Sequence, residues 1–570
     1  MYIGGIVKKH VFTLVILFVT ASMALGQSKL ETNFSKLADE VLQNLQSFYP
    51  VRATAKGIHD YDYRFTDYSS KSIKNEISKL KKFETRLYKY QKSGLSDESR
   101  INLKLLKSNV DVALVELSKI KIYKKNPYLY IDDAVNGIYL ILISDYAPME
   151  TRVQNIIARM KTVPDLLNQG KKNLKTPAPI FIEAALGMID TGVDFYREVQ
   201  KELSEQFPGL APELGTAIDR AVSSMLEFKH FLKTVAPGEP QSFAIGKTNY
   251  NYLLEHQYFL GFDSDSLLKI GENLLAQTKK QYADFKAKLD STNAGVDSVF
   301  VLDCIGKEDI LAYYNWEVEQ ARLFLEENDI VTIPEDIGAC EVIETPSFLT
   351  GMVSTIAYEP PGTFSPDQTG YLYVRPIPDS MDAGERAARY KYIHRRGFRG
   401  GVVHEAYPGH HLQLQMASRV DDDVRKWQQS LLFLEGWALY CEEMMSDFGF
   451  YKDERQYLTV LRGIIFRAAR IIVDVKLQTG QMTTDEAVQW IAETMDTEPA
   501  EWIRTEVRRY AQQPTIPMCY LTGKLEILKL RDDLKAIEGD NFSLRNFHDR
   551  LLAEGSIPPT LIREIWGLVR

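Results

Sequence analysis

Four cysteines in 570 residues, Cys304, Cys340, Cys441 and Cys519, with no C-x-x-C spacing, are too few for a disulfide scaffold. They read as buried free thiols, with one disulfide left open, and they do not make a zinc knuckle. No apolar run reaches the roughly 20 residues needed to cross a bilayer, so a stable membrane span is not expected. Lys/Arg-rich blocks are missing too, and 68 basic against 77 acidic residues give a formal charge of −9. Such a surface repels phosphate backbones, so nucleic acid is not expected as a partner. Repeats and low-complexity tracts are absent. The 45% hydrophobic and 25% charged composition excludes a disordered, collagenous or polytopic membrane chain.

What is present begins with a leader. Lys8, Lys9 and His10 precede an apolar run from Val11 to Leu25 that closes on Ala24-Leu25-Gly26. This is the pattern of a signal peptide over residues 1–26, cleaved before Gln27. No cysteine follows the run, so a lipoprotein-type acylation site is not expected. The mature protein is expected in the periplasm or outside the cell.

From Leu30 to about Lys233 the spacing of apolar residues is helical, as in Ile73 to Gln91 and Arg100 to Leu117. Pro237-Gly238-Glu239-Pro240 marks a boundary near 240. It separates an N-terminal helical part, 27–240, from a second part, 241–570, that opens with the helical run Ser264 to Leu289. Between Tyr358 and Pro378 the pattern changes: Pro360-Pro361-Gly362 breaks any helix, and Tyr371 to Arg375 alternate as a short strand. Gly370 and Pro376 on its flanks place it at a sheet edge, where an extended peptide could add alongside Tyr373. Helices resume after Arg399, one of them opened by Thr483 and Glu486 in capping-box spacing.

Three of the nine histidines fall within His404-Glu405-Ala406-Tyr407-Pro408-Gly409-His410-His411. In H-E-x-x-H zinc hydrolases two histidines four apart share a helix face, and the intervening glutamate is general base to a zinc-bound water. Here the spacing is longer by two. On an unbroken helix His404 and His410 diverge, whereas His404 and His411 align but lie two turns apart. Pro408 cannot sit in that helix, because its ring clashes with the carbonyl of His404. A two-residue bulge at Pro408-Gly409 would bring His404 and His410 together, leaving His411 as a substrate-facing or supporting group or as the alternative ligand. Glu435 interrupts the apolar run Leu431 to Leu439, where an unpaired carboxylate costs several kcal/mol. A metal would remove that cost; an ion pair with Arg467 or Arg470 is the other reading. Glu442, seven residues on, shares the Glu435 face and could support the site.

At these residues the sequence resembles the bacterial domain of unknown function 885 family, through His404 to Gln413 and Glu435-Gly436-Trp437-Ala438-Leu439-Tyr440. That family is similar to mostly helical gluzincin peptidases such as thimet oligopeptidases and Taq-type carboxypeptidases, where the liganding glutamate follows H-E-F-G-H by some 25 residues. The interval from His410 to Glu435 is 25, which favours His410 over His411. The resemblance implies a mainly α-helical fold with a small β-sheet beside the active site, in a gluzincin-like metallopeptidase architecture. It implies zinc on His404, His410 and Glu435, Glu405 as general base, and Tyr520 as oxyanion donor. The chain departs from the family pattern at Gln478, where a histidine is usual, and at Pro514-Thr515-Ile516-Pro517 in place of a Pro-Gly-Gln-Ala stretch. Arg395, Arg396 and Arg399 could receive a terminal carboxylate. The sequence thus reads as an exported zinc-dependent hydrolase acting on a peptide or other small amide. The alternative is a non-catalytic periplasmic binding protein that keeps the metal as a structural pin, and Gln478 and Ile516 are its motive.

Overall fold

Serine caps set the first long helices. Ser69 accepts from Ser72 N at the start of Ser70–Tyr88, and Ser96 accepts from Ser99 N at the start of Asp97–Val115. The computed structural model describes residues 29–291, 307–350, 353, 355–378, 380–386, 399–451 and 455–568. Over these the chain is mainly helical with one three-stranded sheet. The N-terminal part is a series of helices that includes Tyr128–Ile143, Pro179–Gln206 and Ala211–Thr234. The chain then runs through 235–246, where the boundary was read, into further helices including Ser264–Ser291.

The sheet consists of β1 (Cys340–Glu344), β2 (Ile356–Glu359) and β3 (Gly370–Val374), in the order β1-β3-β2. The strand expected at an edge is therefore the central one. β3 pairs parallel with β1, Val342 opposite Leu372, and antiparallel with β2, Tyr358 opposite Leu372. Both of its backbone edges are occupied, so no peptide can add to it. Its flanking Gly370 and Pro376 end the strand and do not expose it. Gly370 is needed for contact, since a Cβ there would overlap the Tyr358 hydroxyl. The free edge belongs to β2.

Seven helices after the sheet build the remainder of the site: α1 (Arg399–Glu405), α2 (His410–Ser418), α3 (Leu431–Asp447), α4 (Arg455–Gln478), α5 (Thr484–Thr494), α6 (Glu501–Gln512) and α7 (Ile516–Glu538). The Thr483/Glu486 capping box forms as read. Leu432, Leu439, Ile471, Met518 and Leu521 make one apolar cluster joining α3, α4 and α7. Gly436 of α3 and Gly523 of α7 meet there backbone to backbone: a Cβ on Gly523 would lie 1.8 Å from the Leu432 carbonyl oxygen. Cys340, Cys441 and Cys519 are free thiols, and Cys304 lies outside the described residues, as does the leader. No helix among the described residues is long and apolar enough to cross a membrane.

His548 is fully buried behind α3, accepting from the Tyr440 hydroxyl at Nε2 (2.8 Å) and donating from Nδ1 to the Ile330 carbonyl (2.8 Å). Burial pushes it down to about 4, against the opposing pull of that carbonyl. It folds neutral and must gain a proton on unfolding in acid, so its contribution is complete above the unfolded value near 6.5 and is lost as pH falls towards 4. The loss amounts to about 3 kcal/mol. Denaturant titrations from pH 7 to 4 should show wild-type stability falling by about that amount more than in His548→Gln.

Candidate metal centre

Helix α1 ends because Pro408 has no N–H to offer. Its last regular bond runs from Ala406 N to Val402 O at 2.8 Å, and α2 starts afresh with Gln413 N to Gly409 O at 3.1 Å. The structure thus replaces the expected bulge with a turn between two helices, the Tyr407–Pro408 peptide being cis. Gly409 is obligatory in it, since a Cβ would sit 1.8 Å from the His404 carbonyl oxygen. The indole of Trp437 donates to the Pro408 carbonyl (2.7 Å), tying the turn to α3.

The turn brings His404, at the end of α1, beside His410, the first residue of α2, with ring centroids 4.7 Å apart. Glu435 on α3 completes the group. Its Oε2 lies 3.4 Å from His404 Nε2 and 3.6 Å from His410 Nε2, and one ligand atom from each residue falls within 4.8 Å of the others. Oε2 is buried and has no hydrogen-bond partner. Burial opposes a charge on His404, yet Glu435 and Glu442 push it up to about 10. Burial alone would raise the Glu435 carboxyl, but His404 and His410 hold it well below the usual carboxylate range. Two imidazoles and an anionic oxygen aimed at one point, in a place that favours positive charge, fit a zinc ion.

The surrounding groups orient the ligands. His404 Nδ1 donates to Glu442 Oε1 (2.9 Å), which also receives Arg467 Nη2 (3.3 Å). This is the carboxylate support that fixes a ligating imidazole's tautomer. Arg470 pairs with Glu506 at 2.7 Å, so neither arginine takes Glu435. His411 points elsewhere. Its Nδ1 accepts from the Tyr358 hydroxyl (2.8 Å), its Nε2 donates to the Gly338 carbonyl (3.1 Å), and burial pushes it down to about 4.

Glu405 stays out of the triad, its Oε2 held by the backbone N–H of Tyr358 on β2 at 3.0 Å. Tyr520 stacks near the His404 ring, centroids 6.1 Å apart and planes 13° from parallel. Burial raises its hydroxyl, so it remains a proton donor. These groups line a cavity of about 700 Å³ whose walls also include Thr355 to Tyr358 of β2 and Arg462, Arg467, Arg470 and Arg509 of α4 and α6.

Several residues read from sequence lie elsewhere. Tyr373 is buried on β3, its hydroxyl bonded to that of Tyr139, and does not line the cavity. Arg395 and Arg396 fall outside the described residues, and of Arg399 only the backbone at the start of α1 is described. Gln478 is fully buried, its amide donating to the carbonyls of Tyr510 (2.8 Å) and Ala511 (3.3 Å) and accepting from Ile245 N (3.3 Å). Neither it nor Ile516 lines the cavity, so these departures from the family pattern remove no group from it. Sequence reasoning missed the part of Tyr358, which holds Glu405 with its N–H and His411 with its hydroxyl. The signal was the Tyr-Glu-Pro-Pro-Gly segment, read only as a helix breaker.

The family model described as bacterial protein of unknown function (DUF885) matches residues 50–565. The chain belongs to this family. No curated protein matches it. Among solved structures it is similar to a "putative lipoprotein of unknown function" from Shewanella oneidensis, at 19% identity and a TM-score of 0.75, over 94% of this chain and 99% of the other. A "putative lipoprotein" from Colwellia psychrerythraea is similar at 18% identity and a TM-score of 0.75, over 93% of this chain and 97% of the other. At these identities the likeness establishes that the DUF885 fold is shared.

Proposed function

We propose that this DUF885 member is an exported zinc-dependent hydrolase that cleaves peptide bonds. The observation that carries the reading is the convergence of His404 Nε2, His410 Nε2 and the unpartnered buried Oε2 of Glu435, with Glu405 beside them but outside the triad. The order of His404-Glu405, His410 and Glu435 supports a gluzincin-like architecture. A zinc ion held by the triad supplies Lewis acidity towards water and the substrate carbonyl. Glu405 takes the proton from the attacking water and delivers it to the leaving amine, while the Tyr358 N–H holds its other oxygen in place. Tyr520 donates its hydroxyl proton towards the carbonyl oxygen as negative charge develops there. Substrate backbone lies along β2, the free edge of the sheet, whose residues line the cavity. Export is supported by the leader and by the likeness to proteins described as lipoproteins, although this chain has no cysteine following its leader.

A mixed-peptide library digested with the purified mature protein and read by mass spectrometry tests the reading. Cleavage is expected, abolished by a chelator and restored by zinc. Cleavage that survives complete metal removal would contradict it, and no cleavage by the zinc-loaded protein would leave the binding-protein reading as the better account.

A further inference from the structure

We propose that the arginine wall of this cavity receives a carboxylate of the substrate, so that the site takes peptides carrying a free carboxylate one or two residues beyond the scissile amide. This rests on the hydrolase reading above and names its substrate class.

The wall opposite the sheet carries Arg462, Arg467 and Arg470 from α4 and Arg509 from α6, faced by only two carboxylates, Glu442 and Glu506. Glu506 serves two guanidiniums, taking Arg470 Nη2 at 2.7 Å and Arg509 Nη2 at 2.8 Å. Burial would raise its carboxyl, but these arginines hold it down to about 2. Arg470 is fully engaged: Nε donates to the Tyr510 hydroxyl (2.9 Å), and its guanidinium lies 4.6 Å from the Tyr520 ring centre and 4.7 Å from that of Phe466. The others are not. Arg467 shares an oxygen of Glu442 that His404 already occupies, and its Nε is buried without a partner. The Nε of Arg509 is likewise buried and unpartnered. Arg462 bonds the Met495 carbonyl (2.9 Å), which carries no formal charge.

The wall therefore holds more positive charge than its own carboxylates neutralise, together with N–H donors that nothing in the protein satisfies. Guanidinium forks match a carboxylate in shape and charge, and inside a cavity such bonds are less screened than at a surface. Tyr520 sets the distance: its ring contacts the ligand His404 and Arg470 alike, so the wall stands within a residue or two of the metal centre. Phe466, Met495 and Trp502 line the same side and offer an apolar surface to the residue that carries the carboxylate.

The test is calorimetric binding to zinc-loaded Glu405→Gln protein of three N-acetylated tetrapeptides: Ala-Ala-Ala-Phe as the free acid, the same as its amide, and Ala-Ala-Ala-Glu as its amide. The free acid is expected to bind about 10- to 100-fold more tightly than its amide. If the glutamate amide matches the free acid, a side-chain carboxylate suffices; if it matches the phenylalanine amide, the terminal carboxylate is required. In the double variant Arg462→Met/Arg509→Met, with zinc content unchanged, the ratio of acid to amide affinity should fall towards one. Equal binding of acid and amide by the parent protein, or no binding of any peptide, would overturn the proposal. Acid preference in binding without cleavage by wild-type protein would uphold it while sinking the hydrolase reading. Cleavage of acid and amide at equal rates would do the reverse.

Discussion

Glu405→Gln should lower kcat on any cleaved peptide by about 10²- to 10⁴-fold, the range typical of general-base loss, while zinc content stays at the wild-type level. The split follows from geometry. Glu405 is outside the His404, His410 and Glu435 group, so a carboxamide of equal size does not alter the ligand set. The backbone bond from Tyr358 to Oε2 survives, because an amide oxygen accepts as a carboxylate oxygen does. Only the capacity to take a proton from water is lost. Steady-state kinetics together with elemental analysis of the same preparation measure both quantities. Turnover within a few-fold of wild type would remove Glu405 from the mechanism.

Gly523→Ala should destabilise the protein by about 3 kcal/mol or more, at the upper end of what overpacking costs, and should loosen the metal centre with it. The added methyl has no room, with the Leu432 carbonyl oxygen at 1.8 Å and Gly436 Cα at 2.9 Å, all backbone that cannot rotate aside. Relief requires α3 and α7 to separate. One carries Glu435 and the other Tyr520. Gly187→Ala is the matched control: it adds the same methyl within the exposed run of the helix Pro179–Gln206, with nothing within 4 Å. Helix propensity should there stabilise by up to about 1 kcal/mol. Denaturant titration of both variants gives the sign of each effect. Equal stability of the two variants would show that the helices are not held at van der Waals contact.

The metal centre was legible because its residues violate the patterns around them. Glu435 stands in an apolar run, Pro408-Gly409 interrupts a helix, and Glu442 falls seven residues on from Glu435, where helical geometry predicts a shared face. The long N-terminal helices were legible from periodicity, and their serine caps lie where the helices start. The sheet was not, because β1 and β2 span only five and four residues and their pairing with β3 is set by distant segments. β3 looked like an edge because its flanks carry glycine and proline, which mark where a strand ends and not whether its sides are covered. The arginine wall was hidden for another reason. Arg462, Arg467 and Arg470 on α4 look like the polar side of an ordinary amphipathic helix until α6 and α7 close against it. Gln478 shows the opposite case: a residue that departs from the family pattern, and so suggested a lost chemical group, spends its amide on backbone carbonyls far from the chemistry.

The account stands most directly on which histidines hold the metal. Elemental analysis of purified wild type, His410→Ala and His411→Ala should give one zinc per chain in wild type, loss of zinc in His410→Ala, and retention in His411→Ala, whose ring is held by Tyr358 and Gly338. Zinc retained in His410→Ala and lost in His411→Ala, or no zinc bound by wild type, would contradict it.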